Sequence, residues 1–149
     1  MTCRLLVAAD LPVLLELLAE LHPDDPRLKP GDPAAKRVWE EILNDRRLRT
    51  FGLEVEGQVV STCTLVLVPN LTRGCRPYGV IENVVTRASL RSRGFGTALL
   101  RQALTVAWSE GCYKVMLETG SKSEATLRFY ERAGFVRGVK TGFVAYPGA

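Results

Sequence analysis

The sequence predicts an α/β domain of the α+β kind, with a mixed, mostly antiparallel central sheet of about six or seven strands and helices on both faces. Two observations carry this. β-branched apolar runs follow one another through the middle of the chain and then alternate with segments of helical period. The order they spell is strand, two helices, three strands, helix, strand, helix, two strands. A meander followed by alternating elements builds a mixed sheet covered on both sides. At 149 residues the chain has the length of one domain able to bury a real core.

Taken in order, Cys3–Val7 is a short apolar run and the first strand. Asp10 is placed to cap a helix, Pro12 fits its first turn, and Leu11, Leu14, Leu15, Leu18 and Leu21 recur at helical spacing. His22–Asp32 holds three prolines and a glycine and reads as a loop. Asp32-Pro33 opens a second helix to about Asn44, with Val38, Trp39, Ile42 and Leu43 on its buried side. Thr50–Glu56 and Gln58–Val68 are strands joined by a tight turn at Glu56-Gly57. After the loop Pro69–Arg76 comes a strand around Val80–Val85, then a helix from about Gly96 to Glu110. Phe95, Leu99, Ala103 and Ala107 form its buried stripe, widened by Leu100 and Leu104, and Gly111 stops it. Lys114–Thr119 is a further strand, Ser123 caps a helix over Glu124–Ala133, and Gly134 ends it. Phe135–Val139 and Gly142–Tyr146 supply a closing hairpin.

Composition narrows the function classes. The formal net charge is +4, and two of the basic residues, Arg91 and Arg93, sit together in one loop, where a small polyanion explains them as well as nucleic acid would. No recognised nucleic-acid motif is present, so no such partner is expected. Cys3, Cys63, Cys75 and Cys112 form no CxxC pair and share no metal spacing with His22, the single histidine. The expectation is a reduced, cytoplasmic protein with unpaired thiols and no metal. No window approaches the ~18 consecutive apolar residues of a membrane span, and the N-terminus lacks the pattern of a signal peptide.

Chemistry concentrates between Arg76 and Trp108. The apolar strand there is interrupted by Glu82-Asn83, and the loop Arg91-Ser92-Arg93-Gly94-Phe95-Gly96 opens straight into a helix. Glycines let backbone N–H groups approach a phosphate, the helix N-terminus adds partial positive charge, and arginines add charge-assisted hydrogen bonds. With two glycines and no early βαβ unit, this is not a dinucleotide fingerprint.

The strand order, with RSRGFG at its centre and FYERAGF near the end, resembles the GCN5-related N-acetyltransferase family. Its acetyl-CoA motif, Gln or Arg, two residues, Gly, one residue, then Gly or Ala, is matched by Arg91, Gly94 and Gly96 at a strand–loop–helix junction. A second motif, Tyr then a charged pair and Gly-Phe, is matched by Tyr130 through Phe135. Together these cover nearly the whole chain after Thr50.

The resemblance implies acetyl-CoA as cosubstrate and direct transfer of its acetyl group to an amine in a splayed cleft. N–H groups from Ser92 through Thr97, with Arg91, Arg93, Gly94, Phe95 and Gly96 among the loop residues, would hold the diphosphate. Backbone groups of Val84, Val85 and Thr86 would pair with pantetheine like an added strand. Glu82 is the candidate base, with Glu118 in reserve, and Tyr130 is the candidate acid toward the departing thiolate. The alternative for Glu82 is pairing with an arginine or pointing to solvent. A base matters because an amine of pKa ~10.4 needs about 4.6 kcal/mol to be neutral at pH 7, against about 1.4 for one near ~8. Cys63, Cys75 and Cys112 as acyl acceptors lack a recognisable basic partner. Many relatives carry Asn where Ser123 stands, seven residues before the motif tyrosine, so that pantetheine contact is in question.

The acceptor is less legible. GVIENVV resembles the corresponding strand of glucosamine-phosphate N-acetyltransferases, and Arg73 and Arg76 are candidates for a substrate phosphate or carboxylate. Asp24 and Asp25 would instead suit a polyamine or aminoglycoside. The expected partner is a small-molecule amine, with an amino-sugar phosphate among the options. A binding-only acyl-CoA sensor and a protein or peptide N-acetyltransferase are the alternatives, and a homodimer is left open.

Overall fold

The structure, a computed structural model, describes residues 1–148. Five strands form one sheet in the order β1-β2-β3-β4-β5. They are β1 (Thr2–Leu5), β2 (Leu48–Val55), β3 (Gln58–Val68), β4 (Tyr78–Thr86) and β5 (Val115–Met116). The first three pairings are antiparallel and β4–β5 is parallel, so the sheet is mixed and mostly antiparallel as predicted. Four helices cover it: α1 (Leu11–Leu21), α2 (Pro33–Asn44), α4 (Phe95–Ser109) and α5 (Glu124–Ala133), with a single turn, α3 (Thr72–Cys75), between β3 and β4.

Two apolar clusters divide the faces. On one face Leu99, Leu100, Ala103 and Ala107 of α4 meet Phe51, Leu53, Leu65 and Ile81 of the sheet. On the other, Leu11, Leu14 and Leu17 of α1 and Trp39 of α2 meet Leu6, Val59 and Val85. The helical stripe of α4 is the one the spacing predicts. In α1 the fully buried residue is Leu17, outside the predicted set, while Leu18 and Leu21 are only partly covered. In α2 the sheet takes Trp39 and Ala35, leaving Val38 and Leu43 exposed.

Asp10 does not cap α1 with its side chain. Its carboxylate accepts the Val7 N–H at 2.7 Å and both Nη groups of Arg4, whose Nε donates to Glu54. That network ties the β1–α1 connection to β2, and the Arg4 guanidinium holds the Asp10 carboxyl below the usual range.

The expected six or seven strands are five, because Phe135–Val139 and Gly142–Tyr146 form no strands. The alternation is there, but Arg137 draws the segment onto the outer face of α5. It donates to both carboxylate oxygens of Glu124, at 2.8 and 3.1 Å, and pairs with Glu131 at 2.9 Å. Gly138 then turns the chain with φ 77°. The strand expected over Lys114–Thr119 is likewise reduced to Val115–Met116.

Candidate active site

β4 pairs with β5 only at Gly79↔Val115 and Val80↔Met116, while on its other edge it stays paired with β3 as far as Thr86. Gly79 sets the closed end of this V. A Cβ there would lie 2.9 Å from Leu65 Cδ1 of β3 and 3.1 Å from Val115 Cγ2 of β5, so the side chains of both neighbouring strands close over this glycine. Beyond Val80 the two strands separate, and the β5-facing backbone of β4 has no strand partner.

A β-bulge sits inside the open part. Thr64 pairs with Glu82 and Thr62 with Val85, so β4 carries one residue more than β3 across this interval, and Asn83 takes φ 54°. Asn tolerates that left-handed conformation better than most residues. The bulge leaves Glu82 exposed, and among the described residues its carboxylate has no hydrogen bond and no ion pair. Of the two alternatives to a base, pairing with an arginine is not what the fold makes, whereas the exposed carboxylate does face solvent.

Downstream, β4 is held in place. Ser61 Oγ, fully buried, donates to the Val85 carbonyl at 3.0 Å and shares a 2.8 Å hydrogen bond with Thr86 Oγ1. Arg91 Nε donates to the Thr86 carbonyl at 3.1 Å. Arg91 thus uses part of its guanidinium to fasten the strand end to the loop, while Arg93 stands exposed with no acidic partner among the described residues.

The loop itself fits an anion. The Arg91 N–H donates to the Ala88 carbonyl, and the next N–H with a backbone acceptor is that of Ala98, to Gly94. Between them, N–H groups from Ser92 through Thr97 donate to nothing among the described residues. Ser92 at φ 62° and Gly94 at φ 81° turn the chain into the first turn of α4. Consecutive free donors at a helix N-terminus are what a diphosphate requires.

Tyr130 lies on α5, half-buried, its ring 4.8 Å from Phe129 and 6.4 Å, edge-on, from Phe135. Val84, Phe95 and Tyr130 border the same core cluster, so strand, loop and tyrosine helix are joined through it. Burial pushes the Tyr130 hydroxyl above its ordinary value, so it is a protonated donor at neutral pH. Ser123 occupies the N-cap position of α5 but makes no capping bond with its side chain.

Other sequence candidates are placed elsewhere. Arg76 donates to the carbonyls of Gly111 and Cys112, both at 3.2 Å, and so clamps the end of α4. Arg73 lies 5.7 Å from the centre of the Tyr113 ring. Both belong to the N-terminal end of β4, away from the loop over Arg91–Thr97. Asp24 and Asp25 are exposed in the α1–α2 loop. Glu118 is exposed, with its carboxylate against the backbone of Gly142. Burial raises the thiols of Cys63, to about 12, and Cys112, which removes them as ready nucleophiles.

One contact was not read from the sequence. Arg87 pairs with Glu16 at 3.1 Å and Glu20 at 3.5 Å, and Glu20 also accepts the Ala88 N–H. The end of β4 is thereby latched to α1. Two glutamates four residues apart on a leucine-rich helix are the only signal. Among the described residues no cluster of His, Cys, Asp or Glu could hold a metal, and no helix is long and apolar enough to cross a membrane.

Comparison with known proteins agrees with this geometry. The family model described as Acetyltransferase (GNAT) family matches residues 13–135. Glucosamine 6-phosphate N-acetyltransferase of Trypanosoma brucei brucei is 36% identical over 137 residues, which is 89% of this chain and 86% of that protein. A presumed acetyltransferase from Agrobacterium tumefaciens str. C58 superposes with TM-score 0.93 and 44% identity, covering 98% of this chain and 99% of that one. Glucosamine-6-phosphate N-acetyltransferase from Arabidopsis thaliana superposes with TM-score 0.82 and 26% identity, covering 97% of both chains.

Proposed function

The chain belongs to the GNAT acetyltransferase family, and from that premise we propose that its acceptor is an amino-sugar phosphate of the glucosamine 6-phosphate kind. It is an acetyl-CoA-dependent N-acetyltransferase acting on the amine of a small molecule. The observation that carries the acceptor reading is the likeness to the trypanosomal enzyme along most of both chains. The GVIENVV strand, with its unpaired glutamate, supports it.

Residues 1–149 act as one catalytic domain. The N–H groups from Ser92 to Thr97, with Arg93, bind the diphosphate, and Arg91 positions the loop against Thr86. Val84, Val85 and Thr86 offer backbone to the pantetheine arm, with Ser123 at its side. Bound acetyl-CoA supplies the acetyl thioester that the amine attacks. Glu82, unpaired at the bulge, accepts the proton from the acceptor ammonium, directly or through water. Tyr130 keeps its proton at neutral pH and delivers it toward the departing sulfur.

The test is release of free CoA thiol across an amine panel. Glucosamine 6-phosphate should be turned over with the highest kcat/KM, ahead of glucosamine, spermidine, an aminoglycoside and N-terminal peptides. Preference for a peptide or polyamine would refute the acceptor reading while leaving the acetyltransferase in place.

The chain works as a homodimer. Support comes from the segment after α5, where Phe143 is 90% and Tyr146 74% exposed, with Val136, Val139 and Val144 beside them. Exposed aromatic and β-branched side chains that follow one another in one segment offer a self-complementary surface to a second copy across a two-fold axis. Light scattering should give twice the chain mass, and Phe143→Ser should reduce it. The four cysteines, all free thiols, accord with a reducing, cytoplasmic location.

A further inference from the structure

We propose that the cleft at the opposite end of the sheet from the cofactor loop is a second ligand site, which takes a small organic oxyanion, a phosphate or carboxylate. The proposal does not depend on the identity of the acceptor amine.

The cleft lies between the start of β2, the end of β3 and the C-terminal end of α4, and has a volume of about 860 Å³. Arg46, Arg49, Leu67, Asn70, Cys75 and Glu110 are the lining residues that matter. In the β3–β4 register Val68 faces Tyr78 at this end, and Ser61 faces Thr86 at the cofactor end. From Tyr78 to Thr86 is about 25 Å at ~3.3 Å per residue. A ligand here touches neither the loop over Arg91–Thr97 nor the bulge at Glu82.

One wall is built and held. The chain from Asn70 to Arg76 contains a left-handed turn, with φ of 57°, 68° and 62° at Arg73, Gly74 and Cys75. Asn70 Nδ2 donates to Thr72 Oγ1 at 2.8 Å and to the Arg76 carbonyl at 3.3 Å, closing that turn. Arg76 fastens it to the end of α4 through Gly111 and Cys112.

The opposite wall carries cations that lack adequate partners. Arg47 is satisfied by Asp45 through two contacts of 3.1 Å. Arg46 has no hydrogen bond or ion pair among the described residues. Arg49 has a single long one, 3.4 Å to Glu110, and its buried Nε donates to nothing. A guanidinium presents five N–H donors in a planar fork, and a buried donor without an acceptor is costly. An entering oxyanion would satisfy Arg49 and Arg46 with charge-assisted, bidentate bonds better than the Glu110 contact does. Leu67, Pro69, Leu71 and Pro77 give the cleft an apolar lining that strengthens such bonds and accepts a carbon skeleton. Its volume falls in the ~300–1,000 Å³ range of small-molecule sites.

Cys75 provides a local readout. It lines the cleft and is exposed, whereas Cys63 and Cys112 are buried and Cys3 is partly covered. The full chain is treated with iodoacetamide, with alkylation at Cys75 quantified by peptide mapping, in pyrophosphate, in citrate, and in sodium chloride at matched ionic strength. At about ten times the dissociation constant, pyrophosphate or citrate should slow Cys75 alkylation roughly tenfold by occupancy, and chloride should not. Arg46→Glu, at an exposed position, should abolish the protection while leaving acetyl transfer and the unprotected alkylation rate unchanged. Arg49→Gln should weaken the protection. The proposal is overturned if neither anion protects up to about 10 mM, where even a millimolar site is mostly filled. It is equally overturned if chloride protects as well, or if protection survives Arg46→Glu.

Discussion

Gly96 stands against the ring of Phe129: a Cβ built at Gly96 would lie 3.0 Å from Cε2 and Cζ of that ring and 3.0 Å from Thr86 Oγ1. The glycine that opens α4 and the helix of the candidate acid are therefore in direct contact, with the end of β4 beside both. Moving any one of the three moves the others.

Gly96→Ala should consequently cost about 1–3 kcal/mol, the range for overpacking a filled site, and raise the KM for acetyl-CoA. Phe129→Leu, which trims the ring, should return part of the lost stability in the double variant. Denaturant unfolding and acetyl-CoA saturation curves check both parts. An additive double variant would disprove the contact.

Glu82→Gln should lower kcat by ~10²–10⁴, the usual weight of a general base, with little change in the unfolding midpoint because Glu82 makes no contacts to lose. The residual rate should climb about tenfold per pH unit up to the amine pKa, since the variant must wait for free amine. Glu118→Gln should leave kcat near the unmodified value. The opposite ranking of the two variants would move the base to Glu118.

Tyr130→Phe keeps the contacts with Phe129 and Phe135 and removes a hydroxyl that forms no hydrogen bond among the described residues. Stability should stay within about ±0.5 kcal/mol while kcat falls. Because burial raises the hydroxyl above its ordinary ~10, the acid form persists through neutrality and the alkaline loss of kcat should lie above pH ~10. Unchanged turnover in the phenylalanine variant would remove Tyr130 from the chemistry.

Glu124 is held down to about 2, first by the hydrogen bonds from Arg137, with Arg128 adding to them. Its folded value lies below the ordinary 4.5, so its stabilising contribution is complete above that value and lost as pH falls toward 2. The backbone of residues 136–146 should therefore gain picosecond–nanosecond mobility over that interval, read as a fall in NMR order parameters, and Arg137→Ala should produce the same fall at neutral pH. The pair is exposed, so added salt should weaken the effect. Order parameters that ignore both pH and Arg137 would show that something else holds the segment.

The legible parts of the site were those set by local backbone chemistry. R-x-x-G-x-G before an apolar stripe states where a chain turns into a helix with its first N–H groups free, and the loop and α4 have that form. The FYERAGF pattern states a helix end with an aromatic pair, and α5 has that form too. Glu82-Asn83 inside an apolar run signalled an interruption, although not that Asn83 would make a bulge. The closing hairpin was misread for a definite reason. Alternation in FVRGVKTGFVAY satisfies a strand rule, but Arg137 finds two glutamates on α5, and that capture is invisible at the level of period.

By itself, the sequence determined the order of elements as far as α5, the turn into α4 and the two motif helices, because each depends on residues close together in the chain. Only the tertiary structure decided which charges are free. Arg76 and part of Arg91 are taken up by backbone carbonyls, Arg87 is latched to α1, and Glu82, Arg46 and Arg93 are left without partners among the described residues. Those outcomes depend on carbonyls and carboxylates brought in from distant segments, and no local pattern records them.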